Sequence, residues 1–322
     1  RFFVEYLNTY YSFSDLITCL PDEIRADNVT IYDERGKSGL LNGYVKHNLF
    51  SDFAYSAGLT FSDLLVFNAT HATNPLFFGT VYGTGSASLE GTEDFVNIEV
   101  TAQNTENSKI TLNFMEENEI IDYNFINFVD RSQTTTDSVA SSNGSGSIIT
   151  ESGTEIRANL MLTLTPEANI ELIMDPLAGD KITAYGSGSM QVQYGTKTPM
   201  RVYGNYTLDR GKYNFSLQHV IFRNFDIQEG SEIVFQGDPY TADLNIDARY
   251  TVTANLGDLD QALIKQNYSA RNNIPVDCIL LLSGPMNHPI INFNLDLPSS
   301  SSELNRQVQS YIRTEDMMNR QI

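Results

Sequence analysis

The chain has 322 residues, with 20 basic and 40 acidic side chains, and its formal net charge is −20 at pH 7. Binding to nucleic acid or to an anionic membrane surface requires clustered cations, so this charge balance argues against both. Hydrophobic residues make up 41% of the chain, which is enough to build a large buried face and argues against overall disorder.

Alternation of apolar and polar residues, which is typical of strands with one buried face, recurs along most of the chain. The apolar members of the alternating runs are, in chain order, Val96, Ile98, Val100; Ile110, Leu112, Phe114; Ile156, Ala158, Leu160, Leu162, Leu164; Met190, Val192, Tyr194; Tyr213, Phe215, Leu217; Leu244, Ile246, Ala248, Tyr250, Val252; Ile291, Phe293, Leu295, Leu297. Short turn signals such as Asp209-Arg-Gly211 and Gly237-Asp-Pro239 separate the later runs. The pattern predicts an all-β chain, arranged as an antiparallel meander.

Three segments depart from this alternation. Residues 130–153 are rich in Ser, Thr and Gly and predict a flexible loop. Residues 258–266 could form a short helix, and residues 299–322 have helical character, with Ser300 and Glu303 spaced as a capping box. The apolar residues that would share one face of this last helix are Leu304, Val308, Tyr311 and Ile312. We therefore expect a continuous β domain over residues 1–298 and a helical, truncated tail over residues 299–322.

One short repeat is visible within the strands. The segment Thr80–Ser86 resembles Thr183–Ser189, and each contains a Gly-x-Gly, at Gly83-Thr-Gly85 and Gly186-Ser-Gly188. A phosphate-binding loop would need a helix directly after the glycines, and no helical pattern follows either one. These glycines therefore indicate places where a strand bends or packs closely against its neighbour.

A sheet with one apolar face must bury that face, and three architectures would do so. These are a sandwich of two sheets, a closed barrel, and a sheet folded lengthwise into a groove. The alternation is compatible with all three. Apolar residues over many successive strands, with few charged residues at the same parity, favour the open groove.

Side chains that could carry catalysis or bind a metal show no convincing arrangement. The four histidines, His47, His71, His219 and His288, are scattered and do not pair with Cys or His at metal-ligand spacing. No G-x-S-x-G nucleophile motif occurs, and no carboxylate pair stands out. The sequence predicts no enzyme, no catalytic residues, no metal site and no cofactor. Whether Cys19 and Cys278 form a disulfide is left open.

From Leu160 onward the chain carries an ordered series of short motifs. They are Leu162-Thr-Leu-Thr-Pro-Glu-Ala-Asn169, Ile173-Met-Asp-Pro176, Gly186-Ser-Gly188, Tyr203-Gly-Asn-Tyr-Thr-Leu-Asp-Arg-Gly-Lys-Tyr213, Phe225-Asp-Ile-Gln-Glu-Gly230, Phe235-Gln-Gly-Asp-Pro-Tyr240, Leu244-Asn-Ile-Asp-Ala-Arg-Tyr250 and Leu282-Ser-Gly-Pro285. In this order the series resembles the C-terminal domain of the TamB family (translocation and assembly module), in the form found in Bacteroidota. The match is best over residues 156–298, and residues 1–150 resemble the family in style only.

The resemblance implies a sheet curled into a U-shaped β-taco groove, as in the AsmA-like, bridge-type lipid-transfer group. It implies a protein of the Gram-negative periplasm, anchored in the inner membrane through segments outside this chain, with its C-terminal end near the outer membrane. The groove would conduct phospholipid between the two membranes and support outer-membrane biogenesis. The alternative is an assembly factor for outer-membrane proteins, which templates β-strands together with a BamA-like barrel partner.

The residues expected to line the groove and contact phospholipid acyl chains share the apolar parity of the later strands. They are Val192, Tyr194, Val202, Tyr206, Tyr213, Phe215, Leu217, Ile233, Phe235, Leu244, Ile246, Leu280, Leu282, Ile291, Phe293 and Leu295. An arginine placed at Phe215 or Ile246 is expected to block lipid passage and to leave the sheet folded, because an open groove lets the long side chain reach water.

Overall fold

The computed structural model describes residues 1–113, 154–175, 179–217, 221–255 and 273–312. Eighteen strands in these ranges form one sheet, and the all-β prediction is confirmed. The first nine strands are β1 (Phe2–Val4), β2 (Thr9–Phe13), β3 (Thr18–Cys19), β4 (Glu23–Tyr32), β5 (Ser38–Asn48), β6 (Ser51–Ala69), β7 (Phe77–Thr92), β8 (Phe95–Asn104) and β9 (Lys109–Asn113). The second nine are β10 (Glu155–Leu164), β11 (Asn169–Asp175), β12 (Asp180–Gly195), β13 (Thr198–Leu217), β14 (Ile221–Ile227), β15 (Ser231–Gly237), β16 (Asp243–Ala254), β17 (Ile274–Pro285) and β18 (Ile290–Asp296).

Most strands pair with at least one of the two strands next to them in the chain. In places two shorter strands lie end to end beside one long strand. Strand β7 pairs with β8 along one half and with β9 along the other. In the same way β13 pairs with both β14 and β15. Among the described strands, β1 pairs only with β2 and β18 pairs only with β17, so the sheet has two free ends.

The structure departs from a purely antiparallel meander at one place in the middle of the sheet. There β10 runs parallel to β8, and β11 runs parallel to β9. A parallel pair needs a connection of about a dozen residues or more, because the chain must return to the same side of the sheet. Residues 114–153, between β9 and β10, provide that length.

The sheet curls strongly toward one face. The ring centroids of Phe215 on β13 and Phe293 on β18 lie 5.5 Å apart. These strands are separated by four strand spacings, which would place them about 19 Å apart in a flat sheet. Near the other end, the Tyr11 hydroxyl on β2 donates a hydrogen bond to the Leu65 carbonyl on β6 at 2.7 Å, across three spacings. We call the concave side the inner face and the convex side the outer face.

The paired Gly-x-Gly segments lie where neighbouring backbones approach each other closely. A Cβ atom added to Gly85 on β7 would lie 2.2 Å from the carbonyl oxygen of Thr101. At Gly188 on β12 it would lie 2.1 Å from the carbonyl oxygen of Asn205. No side chain fits at such distances, so the interpretation of these glycines as close-packing positions is confirmed.

The single α-helix of the described ranges, α1, spans Ser302–Ile312. Its first turn is capped by Ser301, whose Oγ accepts a hydrogen bond from the Leu304 backbone N–H at 3.3 Å, so the predicted cap at Ser300 is wrong by one residue. Leu304 and Val308 are buried against Val276 and Leu297, next to β17 and β18. Two short 3-10 turns, Glu5–Leu7 and Pro239–Thr241, complete the regular elements.

Several predictions fall on residues outside the described ranges. These are the strand residue Phe114, the loop over residues 130–153, the helix over residues 258–266 and the last part of the tail, residues 313–322. The two cysteines are described, and both thiols are free. Cys19 is exposed, whereas Cys278 is half-buried, and burial raises the pKa of its thiol.

Candidate functional site

The cross-strand registers place the predicted lining residues on the inner face. Residues directly opposite each other on neighbouring strands project to the same side of a sheet. Val192 lies opposite Val202, and Ile246 lies opposite Leu282. The other described side chains of the set continue this face, namely Tyr194, Tyr206, Tyr213, Phe215, Ile233, Phe235, Leu244, Leu280, Ile291, Phe293 and Leu295. For Leu217 only the backbone pairing with Ile221 is described.

Most of the predicted lining residues pack against one another in the C-terminal half. Tyr213, Phe215 and Ile246 are only 2%, 3% and 1% exposed, and they belong to one cluster that extends from Leu172 to Met286, which we call the sealed cluster. Burial raises the pKa of the Tyr213 phenol far above its usual range, as expected for a ring without water around it. Because the sheet curls here, the side chains of its inner face pack against one another and fill the concave side.

This packing changes the expectation for a buried charge. Phe215 and Ile246 have almost no exposed surface, so an arginine at either position could not reach water from its place in the cluster. An unpaired buried cation costs several kcal/mol. We now expect such variants to unfold rather than to block a folded groove.

The middle of the sheet differs, because its inner face is only partly covered. A row of directly opposed apolar side chains crosses six neighbouring strands there, and every member is half-buried. This open row consists of Leu41, Leu59, Ala87, Val100, Leu160 and Val192. Five strand spacings make it about 24 Å long. Leu41, Leu59 and Ala87 pack against a buried cluster that contains Val29 and Phe61, and Val192 packs against the C-terminal cluster. The row is therefore partly covered, but each of its side chains keeps some exposed apolar surface.

The outer face carries charged and polar side chains. Glu171 on β11 contacts Lys109 at 3.0 Å and Lys181 at 3.6 Å. Partial burial alone would raise the pKa of the Glu171 carboxyl, but the hydrogen bond from Lys109 and the charges of both lysines lower it overall. Asp277 accepts hydrogen bonds from Arg249 and Thr251 in the same way on β16 and β17. These ion pairs therefore lie on the face of the sheet opposite to the open row.

One basic side chain breaks the apolar pattern of the inner face. Arg223 on β14 lies directly opposite Phe215, and its guanidinium carbon is 5.8 Å from the ring centroid of Tyr250. Arg223 was not among the residues predicted to line the groove. The sequence contained the information, because Arg223, Phe225 and Ile227 are two residues apart and therefore lie on the same face of a strand.

The described ranges contain no group of three His, Cys, Asp or Glu side chains that could hold a metal ion. Their helices also include none with the length and apolar character of a membrane span.

These features define a class of protein, a curled all-β sheet whose concave face is apolar and whose convex face is charged. A family model that describes the TamB C-terminal domain matches residues 27–319, and the chain belongs to the TamB family. Membership places it among the Gram-negative envelope proteins of outer-membrane biogenesis. The match begins well before Ile156, so it includes much of residues 1–150, where the sequence predicted a resemblance in style only. No curated protein matches the chain.

Proposed function

We propose that the chain conducts phospholipid between the inner and outer membranes, with acyl chains sheltered on the open row and headgroups in water. The protein would act in the periplasm as part of a β-taco groove, by binding and passage, without catalysis or a cofactor. The observation that carries the proposal is the half-buried apolar surface of the open row. Family membership in outer-membrane biogenesis supports it.

The dimensions and energetics of the open row suit an acyl chain. One leaflet of a bilayer core is about 15 Å thick, so a row of about 24 Å can accompany a whole acyl chain. Each buried methylene contributes about 0.8 kcal/mol, so half-covering ten of them contributes about 4 kcal/mol. That is enough to hold a chain out of water, and weak enough to let it move on.

A pair of variants on one strand tests the proposal. Leu160→Arg places a cation in the open row between Val100 and Val192, whereas Met161→Arg places the same side chain on the outer face, where Met161 is already 43% exposed. Both variants should fold, because both arginines can reach water. We expect Leu160→Arg to lose most co-purifying phospholipid in mass spectrometry and to fail to restore an envelope-permeability barrier. Met161→Arg should behave like the wild type. Full lipid content and a full barrier in folded Leu160→Arg would overturn the conduit.

The second candidate is an assembly factor that templates strands of a BamA-like barrel partner or of nascent barrel proteins. A specific observation favours it, since β18 is an end strand and pairs only with β17 among the described strands. Its first residues, Ile290 and Ile291, are 58% and 38% exposed. An end strand of this kind can accept a further strand by backbone hydrogen bonding.

A photo-reactive residue at Ile290, compared with one at the exposed outer-face residue Asn42 on β5, tests this candidate. Cross-links to a barrel protein from Ile290 alone would favour strand templating. Equal labelling from both positions, or none from Ile290, would remove the support that β18 gives.

A further inference from the structure

Arg223 is the one basic side chain at an inner-face position of the described strands. The registers that define this face place apolar residues, glycines or small polar residues at its other paired positions in this half of the sheet, apart from Asp180 at the start of β12 and Asp175 opposite it on β11. Neither carboxylate forms an ion pair with Arg223. Strand β13, with Phe215, lies between Asp180 and β14, and the Asp180 carboxylate accepts a hydrogen bond from the Ser216 backbone N–H at 2.5 Å.

Most N–H donors of the Arg223 guanidinium make no hydrogen bond within the described ranges. A guanidinium has five N–H donors, and the hydrogen bond recorded for Arg223 is from Nη1 to the Phe222 carbonyl oxygen at 2.9 Å. Within the described ranges no carboxylate lies within ion-pair distance of it, although the chain has twice as many acidic as basic residues. Other strand arginines such as Arg249 and Arg157 do have such partners, in Asp277 and Glu155.

Arg223 lies near apolar side chains that are partly exposed to solvent. Tyr250, Cys278 and Leu295 on the inner face are half-buried, and Val252, two residues beyond Tyr250 on the same face, is 36% exposed. Phe222, next to Arg223 in β14, is 60% exposed. Among the described residues, the side chains at this end of β14 and β16 are therefore less buried than those of the sealed cluster, and Arg223 lies there beside apolar side chains.

We propose that Arg223 binds the phosphate of a phospholipid headgroup whose acyl chains enter the inner face beside Tyr250 and Val252. The planar guanidinium suits bidentate contact with a phosphate, and stacking over Tyr250 holds it in place. The inference rests on the proposed function, because it assumes that the inner face shelters acyl chains. It adds a position on that face where the headgroup is recognised.

The test compares two lipids and two arginines in the complete chain. Phosphatidylglycerol and diacylglycerol with the same acyl chains differ in the phosphate-containing headgroup, so their binding ratio reports on phosphate recognition. Arg223→Gln removes the inner cation. Arg210→Gln is the matched control, since Arg210 stacks over Tyr185 at 4.5 Å on the outer face.

We expect the wild type and Arg210→Gln to prefer the phospholipid about tenfold, equivalent to about 1.4 kcal/mol. Arg223→Gln should lose this preference and keep its affinity for diacylglycerol, and Arg223→Lys should retain part of the preference. Absence of a preference in the wild type overturns the proposal even if Arg223→Gln does not fold. An unchanged preference in Arg223→Gln also overturns it, and so does Arg223-dependent binding of inorganic phosphate as tight as that of the phospholipid. If no variant binds either lipid, the proposed function itself fails.

Discussion

Replacing Ile246 by arginine should unfold the C-terminal half of the sheet. Ile246 is 1% exposed and lies opposite Leu282, which is also 1% exposed. Truncation of a buried isoleucine costs about 2–5 kcal/mol, and an unpaired buried cation adds several more. The sum exceeds about 5 kcal/mol, which is comparable with the whole stability of about 5–15 kcal/mol of a typical domain.

Thermal unfolding followed by circular dichroism measures this effect. A loss of that size should lower Tm by more than about 10 °C or abolish the transition, since about 1 kcal/mol shifts Tm by about 2–4 °C in a domain of 150–250 residues. Met161→Arg on the outer face is the control and should change Tm little, because Met161 is 43% exposed. A Tm of Ile246→Arg equal to that of the wild type would refute the sealed cluster, and the inner face would then be open along its whole length.

Two further predictions concern the backbone. Gly188→Ala should lower stability by about 1–3 kcal/mol in urea unfolding, because its Cβ would lie 2.1 Å from the Asn205 carbonyl oxygen, whereas Ser187→Ala on the exposed outer face should be neutral. Equal stabilities would show that β12 and β13 do not approach so closely. Leu49 and Phe50 form the tip of the β5–β6 hairpin at φ values of 51° and 64°, which Asn-Gly adopts with less strain. The double variant Leu49→Asn, Phe50→Gly should raise Tm by a few degrees, and a lower Tm would contradict this turn geometry.

The fold class could be predicted because strand alternation has a period of two. Once Leu244, Ile246 and Ala248 are assigned to one side, their partners on β17 follow from simple antiparallel pairing. The same reasoning explains why the predicted lining residues with described side chains share the inner face. The glycines of the internal repeat were also interpretable, since only close approach of backbones explains glycine in strands with no helix after them.

The curl of the sheet could not be predicted from alternation. The run that contains Tyr213 and Phe215 and the run that contains Leu160 show the same pattern, yet Tyr213 and Phe215 lie in the sealed cluster and Leu160 lies in the open row. The difference arises because Phe293 from a strand four spacings away closes over Phe215. Such a contact depends on the summed twist and curvature of several strands, which no local pattern reports.

The parallel pairing of β8 with β10 was also beyond the local pattern. A strand has the same alternation whether its neighbour runs parallel or antiparallel, and the long connection through residues 114–153 permits either direction. Arg223 was missed for a different reason. The segment of β14 was considered only through the motif that begins at Phe225, and Arg223 lies two residues before that motif at the same parity.

The measurement that tests the central claim most directly is lipid contact at single positions of one strand. A photo-reactive residue at Leu160, in the open row, should form adducts with phospholipid when cells that carry the protein in their envelope are irradiated. The same residue at Met161, which projects from the outer face of β10, should form few or none. Adducts with phospholipid from Leu160 alone are the predicted result. Equal labelling of the two positions, or no lipid on Leu160, would contradict a role of the inner face in lipid passage.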